Sequence, residues 1–115
     1  MASPSLSKTI TLKAADGELF RVETSIAKEM KAVEIFIDDD DKAFIIPLPE
    51  VSSQDLVKII EYCKQRRTAA NAKDFDAEFA KALNNKELLS LIAAANYLNM
   101  ADLLDLLSQC IVDRV

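Results

Sequence analysis

The stretch KTITLKAADGELFRVE, Lys8 to Glu23, decides the fold. Apolar and polar side chains alternate on both sides of Asp16-Gly17, as in two half-buried strands, and Gly17 is the only glycine of the sequence. An Asp-Gly pair between two alternating runs is a strong signal for a hairpin, because glycine adopts the positive φ that a tight turn requires. The sequence therefore predicts that the chain opens with a β-hairpin.

After the hairpin, the spacing of apolar residues changes from two to between three and four, as in helices. Apolar residues recur at that spacing over residues 26–37 and predict one helix, which ends at the acidic run 38–41. The run AFIIPLP, residues 43–49, predicts a strand that is short or at a sheet edge, because its two prolines cannot donate to a ladder. With the hairpin, this strand makes a small three-stranded sheet.

Four helical segments follow the strand. They cover residues 52–67, 74–83, 86–98 and 102–113. Capping-box spacings open two of them, at Ser52 and at Asn84. A short linker near residues 68–73 separates the first two segments, and Phe75 and Phe79 are expected to anchor the second segment to the core.

The chain is predicted to be a single α+β domain over residues 8–115, with a disordered tail over residues 1–7. Its 115 residues, 50% hydrophobic and 29% charged, are globular in size and composition, and no apolar run approaches the ~20 residues of a membrane span. A net charge of −5 argues against binding to nucleic acid. The chain begins without a secretory signal, so we expect an intracellular protein with Cys63 and Cys110 reduced.

The sequence is poor in two residue types that many catalytic and metal-binding sites require. The sequence has no histidine and one glycine, which removes Ser-His-Asp and Cys-His arrangements and glycine-rich phosphate loops. The run DDDDK, residues 38–42, could suggest a calcium-binding loop. A loop counted from Asp38 has Ala43 where the turn requires glycine and Pro49 where the bidentate glutamate belongs, so the pattern does not fit. We therefore expect a solvated acidic loop, no metal, no cofactor and no enzymatic activity.

The segment 86–98 is apolar around nearly its whole circumference, with Asn96 and Tyr97 in its second half. Such a helix is either buried on all sides or covered by a partner. One interpretation is a central core helix in which Asn96 makes local hydrogen bonds and Tyr97 is wedged at the surface. The other is a protein-protein face, where tyrosine is enriched. The pattern alone leaves both open.

Five pieces of the sequence together resemble one family. ADGELFRVE, IPLPEV, IIEYCK, FDAEF and AANYLNMADLLDL occur in the order and approximate spacing of the Skp-like adaptors of SCF ubiquitin ligases, from about Lys8 to Val115. The resemblance implies a BTB/POZ fold and a non-catalytic bridge in the cytoplasm and nucleus. In this family the BTB/POZ part docks on the amino-terminal domain of a cullin, and the later helices hold the F-box of a substrate receptor.

The resemblance also implies two sets of site residues. The Asn-Tyr of AANYL belongs to the cullin-facing side, which here gives Asn96 and Tyr97. The start of the F-box-binding surface corresponds to apolar positions of the last two helices, some of which must also be core. These positions are Leu88, Leu89, Ile92, Leu103, Leu104, Leu107 and Ile111.

The sequence departs from the family pattern in two respects. The family continues beyond the equivalent of Val115 through a KGKTPEE-like stretch and two helices that wrap the F-box, so F-box binding is expected to be weakened. The loop before FDAEF is short, and Phe75 stands where the family commonly has tryptophan. Two alternatives stay open: an elongin-C-like adaptor for a different receptor box, and a self-associating BTB/POZ scaffold that forms homodimers through exposed apolar helices.

Overall fold

The computed structural model describes residues 9–35 and 45–114, which hold three strands and six helices. In chain order these elements are β1 (Thr9–Lys13), β2 (Leu19–Glu23), α1 (Thr24–Ala27), α2 (Lys31–Glu34), β3 (Ile45–Pro47), α3 (Ser53–Thr68), α4 (Ala72–Lys81), α5 (Asn85–Leu98) and α6 (Ala101–Arg114). The expectations for the tail 1–7 and the acidic loop 38–42 fall outside the described ranges. None of the described helices is long and apolar enough to cross a membrane.

The predicted hairpin forms two strands of a sheet in the order β2-β1-β3, so β1 is the central strand. β1 and β2 are antiparallel and pair Leu12 with Phe20, whereas β3 runs parallel to β1 and pairs Ile46 with Leu12. Gly17 has φ +91°, and its N–H donates to the carbonyl of Ala14 at 2.9 Å, which closes the turn. One face of the sheet is buried, through Ile10, Leu12, Val22 and Ile46.

The single helix expected over residues 26–37 is wrong within the described part, because the chain forms two short helices there. Met30 lies between α1 and α2 with an extended backbone, φ −92° and ψ 99°, and it is fully buried. The break lets α1 pack against the sheet and α3 while α2 packs against α5. One straight helix could not bring Ile26 and Val33 to these two neighbours, although both are buried.

The longer helices begin at the predicted caps. Ser52 accepts a hydrogen bond from the Asp55 backbone N–H at 3.3 Å, and Asn84 and Glu87 form both bonds of a capping box, at 2.7 and 2.9 Å. The linker near residues 68–73 is shorter than expected and covers only residues 69–71, because Asn71 caps α4 through the N–H of Asp74 at 3.1 Å.

The helices enclose one core. Phe75 and Phe79 of α4 pack on Tyr62 of α3, with ring centroids 5.7 and 4.9 Å from its ring, so α4 is anchored as predicted. α5 and α6 form a helical hairpin whose turn contains Asn99 in the left-handed conformation, at φ 58°. The inward side chains of this hairpin are fully buried, among them Leu91, Leu98 and Leu107.

Candidate partner-binding surface

One side of α5 is bare. Leu89, Ala93, Asn96 and Tyr97 are spaced four, three and one residues apart, which places them on a single stripe, and all four are exposed. Leu89 exposes 59% of its surface and Tyr97 38%. The opposite stripe is buried in the core. α5 is thus a core helix with one uncovered face, which we call the α5 face (Leu89, Ala93, Asn96 and Tyr97).

The polar groups of the α5 face are not used within the described residues. There, no side-chain hydrogen bond involves the amide of Asn96 or the phenol of Tyr97, whereas the backbone carbonyl of Asn96 accepts from the N–H of Asn99 at 3.1 Å. The local hydrogen bonds expected of Asn96 in a core helix are therefore absent from this part of the structure. An exposed amide and phenol on a rigid helix are available to a partner.

Several polar contacts hold α5 in place next to this face. The capping box fixes its first turn, and Ser90 Oγ donates to Asp55 Oδ2 of α3 at 2.5 Å. Lys58 of α3 lies 3.6 Å from Glu87 of α5. These links join α5 to α3 beside the α5 face, because Ser90 lies seven residues before Tyr97 and therefore on a neighbouring line of the helix. The face is consequently presented on a preorganised support, which lowers the entropic cost of binding.

The seven positions of the implied F-box surface divide into two groups. Leu88, Leu103 and Leu107 expose 0–1% of their surface and are the core members of this set. They lie on the inward stripes of α5 and α6, where each leucine contributes to the packing of the helical hairpin. A partner cannot reach these three side chains without unpacking that core.

The other four positions are accessible. Leu89 lies on the α5 face, whereas Ile92, Leu104 and Ile111 are partly buried and pack against the core from its rim. Val112, which sequence reasoning missed, is 62% exposed. Its position eight residues after Leu104 places it on the same stripe of α6, and this spacing is the signal that could have identified it.

A second missed residue lies next to α2. Ile35 directly follows this helix and exposes 77% of its surface, and α2 contacts α5.

The remaining reactive groups are placed for structure rather than chemistry. Burial raises the pKa of the Cys63 thiol to about 12, and Cys110 is half-buried. Arg67 holds α3 to the α1 region through Glu29 Oε2 at 2.8 Å and the Ser25 carbonyl at 2.7 Å. Within residues 9–35 and 45–114, no three His, Cys, Asp or Glu side chains are grouped so that they could hold a metal ion.

A small sheet, helices packed on its inner face and a bare, rigid helix stripe define a protein-interaction module. Comparison with known proteins assigns its family. The family model described as "Skp1 family, tetramerisation domain" matches residues 8–68. The chain is 38% identical to SKP1-like protein 14 of Arabidopsis thaliana over 112 residues, which cover 95% of the chain and 75% of that relative.

Two further relatives agree with this assignment. SKP1-like protein 1A of Arabidopsis thaliana is 39% identical over 123 residues, with 94% of the chain and 76% of the relative covered. SKP1-like protein 1 of Oryza sativa subsp. japonica is 38% identical, with 100% and 80% covered. The chain belongs to the Skp1 family. Both the resemblance and the expected BTB/POZ fold of class α+β are confirmed.

Proposed function

We propose that this chain is a non-catalytic adaptor of an SCF-type ubiquitin ligase, which bridges the amino-terminal domain of a cullin to an F-box substrate receptor in the cytoplasm and nucleus. Membership of the Skp1 family supports the class of function. The observation that carries the proposal is the α5 face, where Asn96 and Tyr97 are exposed and their side chains make no hydrogen bond to other described residues.

The cullin contact is proposed at the α5 face. Tyrosine supplies a large apolar area with a polar tip, and it is among the residues that dominate binding energy at interfaces. Asn96 offers both donors and acceptors, which would specify orientation. Leu89 and Ala93 extend the apolar area along the same stripe, and Leu89 is thereby shifted from the receptor side to the cullin side.

The F-box contact is proposed along the outer stripe of α6. Leu104, Ile111 and Val112 share that stripe, and Ile92 of α5 lies on the rim of the same helical hairpin. Ile92, Leu104 and Ile111 combine partial burial, which restricts their rotamers, with accessible apolar surface, and Val112 adds an exposed apolar side chain. Such a surface suits the apolar face of a partner helix.

Calorimetric titration of the chain with a cullin amino-terminal domain tests the first contact. We expect binding by the unchanged chain and a loss of at least tenfold in affinity for the double variant Asn96→Lys, Tyr97→Lys. The matched control is Leu19→Lys, which also adds a charge at an exposed apolar position, here on the sheet, and should bind cullin normally. Equal affinity of the double variant and the control would overturn the site.

Repeating the titration with an F-box peptide tests the second contact. Val112→Asp and Leu104→Asp are expected to weaken the peptide and leave the cullin titration unchanged, because the two contacts lie on different helix stripes. A receptor box of the elongin type, added in place of the F-box, distinguishes the elongin-C-like alternative: preference for that box would exclude the SCF assignment.

Self-association is the second candidate, favoured by the exposed apolar side chains of Leu89 and Val112. Two copies could bury these helix stripes in an isologous dimer. Sedimentation velocity over a concentration series separates the two functions. A constant sedimentation coefficient supports the adaptor, whereas a rise that Val112→Asp abolishes supports the homodimer.

A further inference from the structure

Within residues 9–35 and 45–114, the outer edge of β2 carries backbone groups that pair with no other strand. Among the described strands β2 is an edge strand and pairs with β1 alone. The Ala14 N–H donates to the Glu18 carbonyl at 2.8 Å, so this pair is hydrogen-bonded. Because hydrogen-bonded and open pairs alternate in an antiparallel ladder, Phe20 faces β1 with its backbone groups, whereas Leu19 and Arg21 direct their N–H and C=O groups away from the sheet.

A groove lies between β2 and the first turns of α3. Its volume is about 330 Å³, and it is lined by Glu18, Phe20, Ser53, Gln54, Val57 and Lys58. Phe20 is half-buried and Val57 is 44% exposed, which gives the groove apolar side chains from both elements. An extended segment added to β2 would direct every second side chain toward this groove.

The groove is held open by contacts between the hairpin turn and the start of α3. The Ala15 N–H donates to the Val51 carbonyl at 2.7 Å, and Ser53 Oγ donates to Asp16 Oδ2 at 2.6 Å. These bonds fix the distance between the β2 edge and α3 before any ligand arrives. A partner strand would therefore meet a formed site, without the cost of ordering the loop.

Charged residues of both signs lie beside this edge, and the positive charge on β2 itself comes from Arg21. Arg21 lies on the outer face of β2, where its Nε donates to Thr9 Oγ1 at 3.3 Å, and Lys58 lines the groove. Residues opposite each other in a ladder point to the same face, so a residue paired with Arg21 would lie beside its guanidinium. An acidic side chain complements that position.

We propose that β2 accepts an extended segment of a partner protein as a fourth strand, with apolar side chains directed into the Phe20–Val57 groove and an acidic side chain beside Arg21. Backbone hydrogen bonds to Leu19 and Arg21 would supply affinity, and the groove and the charge would supply specificity, as in other strand-addition sites. The site involves no residue of the α5 face or of the outer α6 stripe, so it is independent of the adaptor proposal.

The probe is the peptide acetyl-KVTVEVTVK-amide, titrated into the isotopically labelled chain and followed by amide NMR shifts. The peptide is palindromic, so its central glutamate reaches Arg21 in either strand direction, and its terminal lysines oppose aggregation. We expect shifts confined to residues 18–24 and 53–58. Shifts elsewhere, or none, would overturn the proposal.

Two comparisons test the mechanism. The peptide methylated on the amide nitrogens of its third, fourth and fifth residues cannot make the full ladder, and its affinity should fall by roughly tenfold or more. Arg21→Glu should weaken the glutamate peptide about tenfold and strengthen KVTVKVTVK, whose central residue is lysine. The matched control Lys81→Glu, an exposed charge reversal on α4, should change neither affinity.

Equal affinity of the methylated and unmethylated peptides would overturn the strand-addition mode, because the backbone bonds would then contribute nothing. Concentration-dependent shifts at residues 18–24 without peptide would overturn the choice of partner in favour of a second copy of this chain. Unchanged circular dichroism spectra of Arg21→Glu ensure that lost binding reports the site and not unfolding.

Discussion

Ser90 and Asp55 form a hydrogen bond between α5 and α3: Ser90 Oγ donates to Asp55 Oδ2 at 2.5 Å, and Asp55 is only 9% exposed. A carboxylate at this depth needs a donor, since a buried acceptor left unsatisfied pays its full desolvation cost. The bond therefore fixes α5 against α3 at the border of the α5 face, and it joins two elements that are distant in sequence.

Removal of the Ser90 hydroxyl tests how much this hydrogen bond contributes to stability. Ser90→Ala is expected to lower the free energy of unfolding by about 1–3 kcal/mol, because it leaves the buried carboxylate without its side-chain partner. Urea unfolding followed by circular dichroism measures the change. Gln109→Ala removes the exposed bond to Asp113 and serves as the control, with an expected change below about 0.5 kcal/mol. Equal losses in both variants would contradict the role of Asp55.

The division of the α6 leucines into core and surface predicts unequal costs. Leu103→Ala removes a side chain that is 1% exposed and should destabilise the chain by about 2–5 kcal/mol. Leu104→Ala truncates a partly buried side chain and should cost less than half as much. Parallel urea unfolding of both variants checks this order. A larger loss for Leu104→Ala would reverse the assignment of the two positions.

The two cysteines are predicted to differ in reactivity. Cys63 is buried and its raised pKa keeps it a thiol, whereas Cys110 is half-buried on α6. Because the thiolate is the reactive form, iodoacetamide at pH 8 should modify Cys110 first and leave Cys63 unmodified in the folded chain. Peptide mass spectrometry identifies the site. In urea both should react, and early modification of Cys63 under native conditions would contradict its burial.

The raised pKa of Cys63 also predicts a loss of stability in alkali. The unfolded thiol releases its proton near its ordinary pKa of 9.0, whereas burial raises the pKa of the folded thiol to about 12. The contribution of the protonated Cys63 thiol to the free energy of unfolding is present in full below pH 9. It is lost as the pH rises toward 12, at up to about 1.4 kcal/mol per pH unit. Cys63→Ala should show a shallower decline in denaturant unfolding, and identical slopes would contradict the assignment.

Burial raises the pKa of Tyr62 to about 12 as well, from an ordinary value of 10.0. The contribution of the Tyr62 phenol to the free energy of unfolding begins to disappear above pH 10. Tyr62 therefore adds to the loss of stability between pH 10 and 12. Comparison of Cys63→Ala with the unchanged chain between pH 9 and 10 isolates the thiol, because the phenol releases few protons there.

Local chemistry explains which parts of the fold could be predicted. The hairpin followed from Asp16-Gly17, and the starts of α3 and α5 followed from Ser52 and Asn84, because a turn or a cap depends on a few neighbouring residues. The break at Met30 could not be found in this way. Its side chain fits the helical spacing, and only the separate neighbours of α1 and α2 require the extended backbone.

The candidate site shows the same limit. Periodicity placed Leu89 and Asn96 on α5, yet an almost uniformly apolar helix gives no sign of which stripe faces the core. That choice depends on where α3 and α6 pack. The family resemblance assigns both Leu103 and Leu104 to the F-box surface, although the first is core and the second lies at the rim.

The parallel pairing of β1 with β3 has a consequence for the order of folding. Thr11 meets Ile45 only after the intervening hairpin, α1 and α2 have been spanned, whereas the hairpin and the α5–α6 pair join neighbouring segments. Loop closure for a distant pair costs more conformational entropy, so local contacts form first. We expect β3 to join the sheet late, and substitutions at Ile46 to act mainly on the unfolding rate.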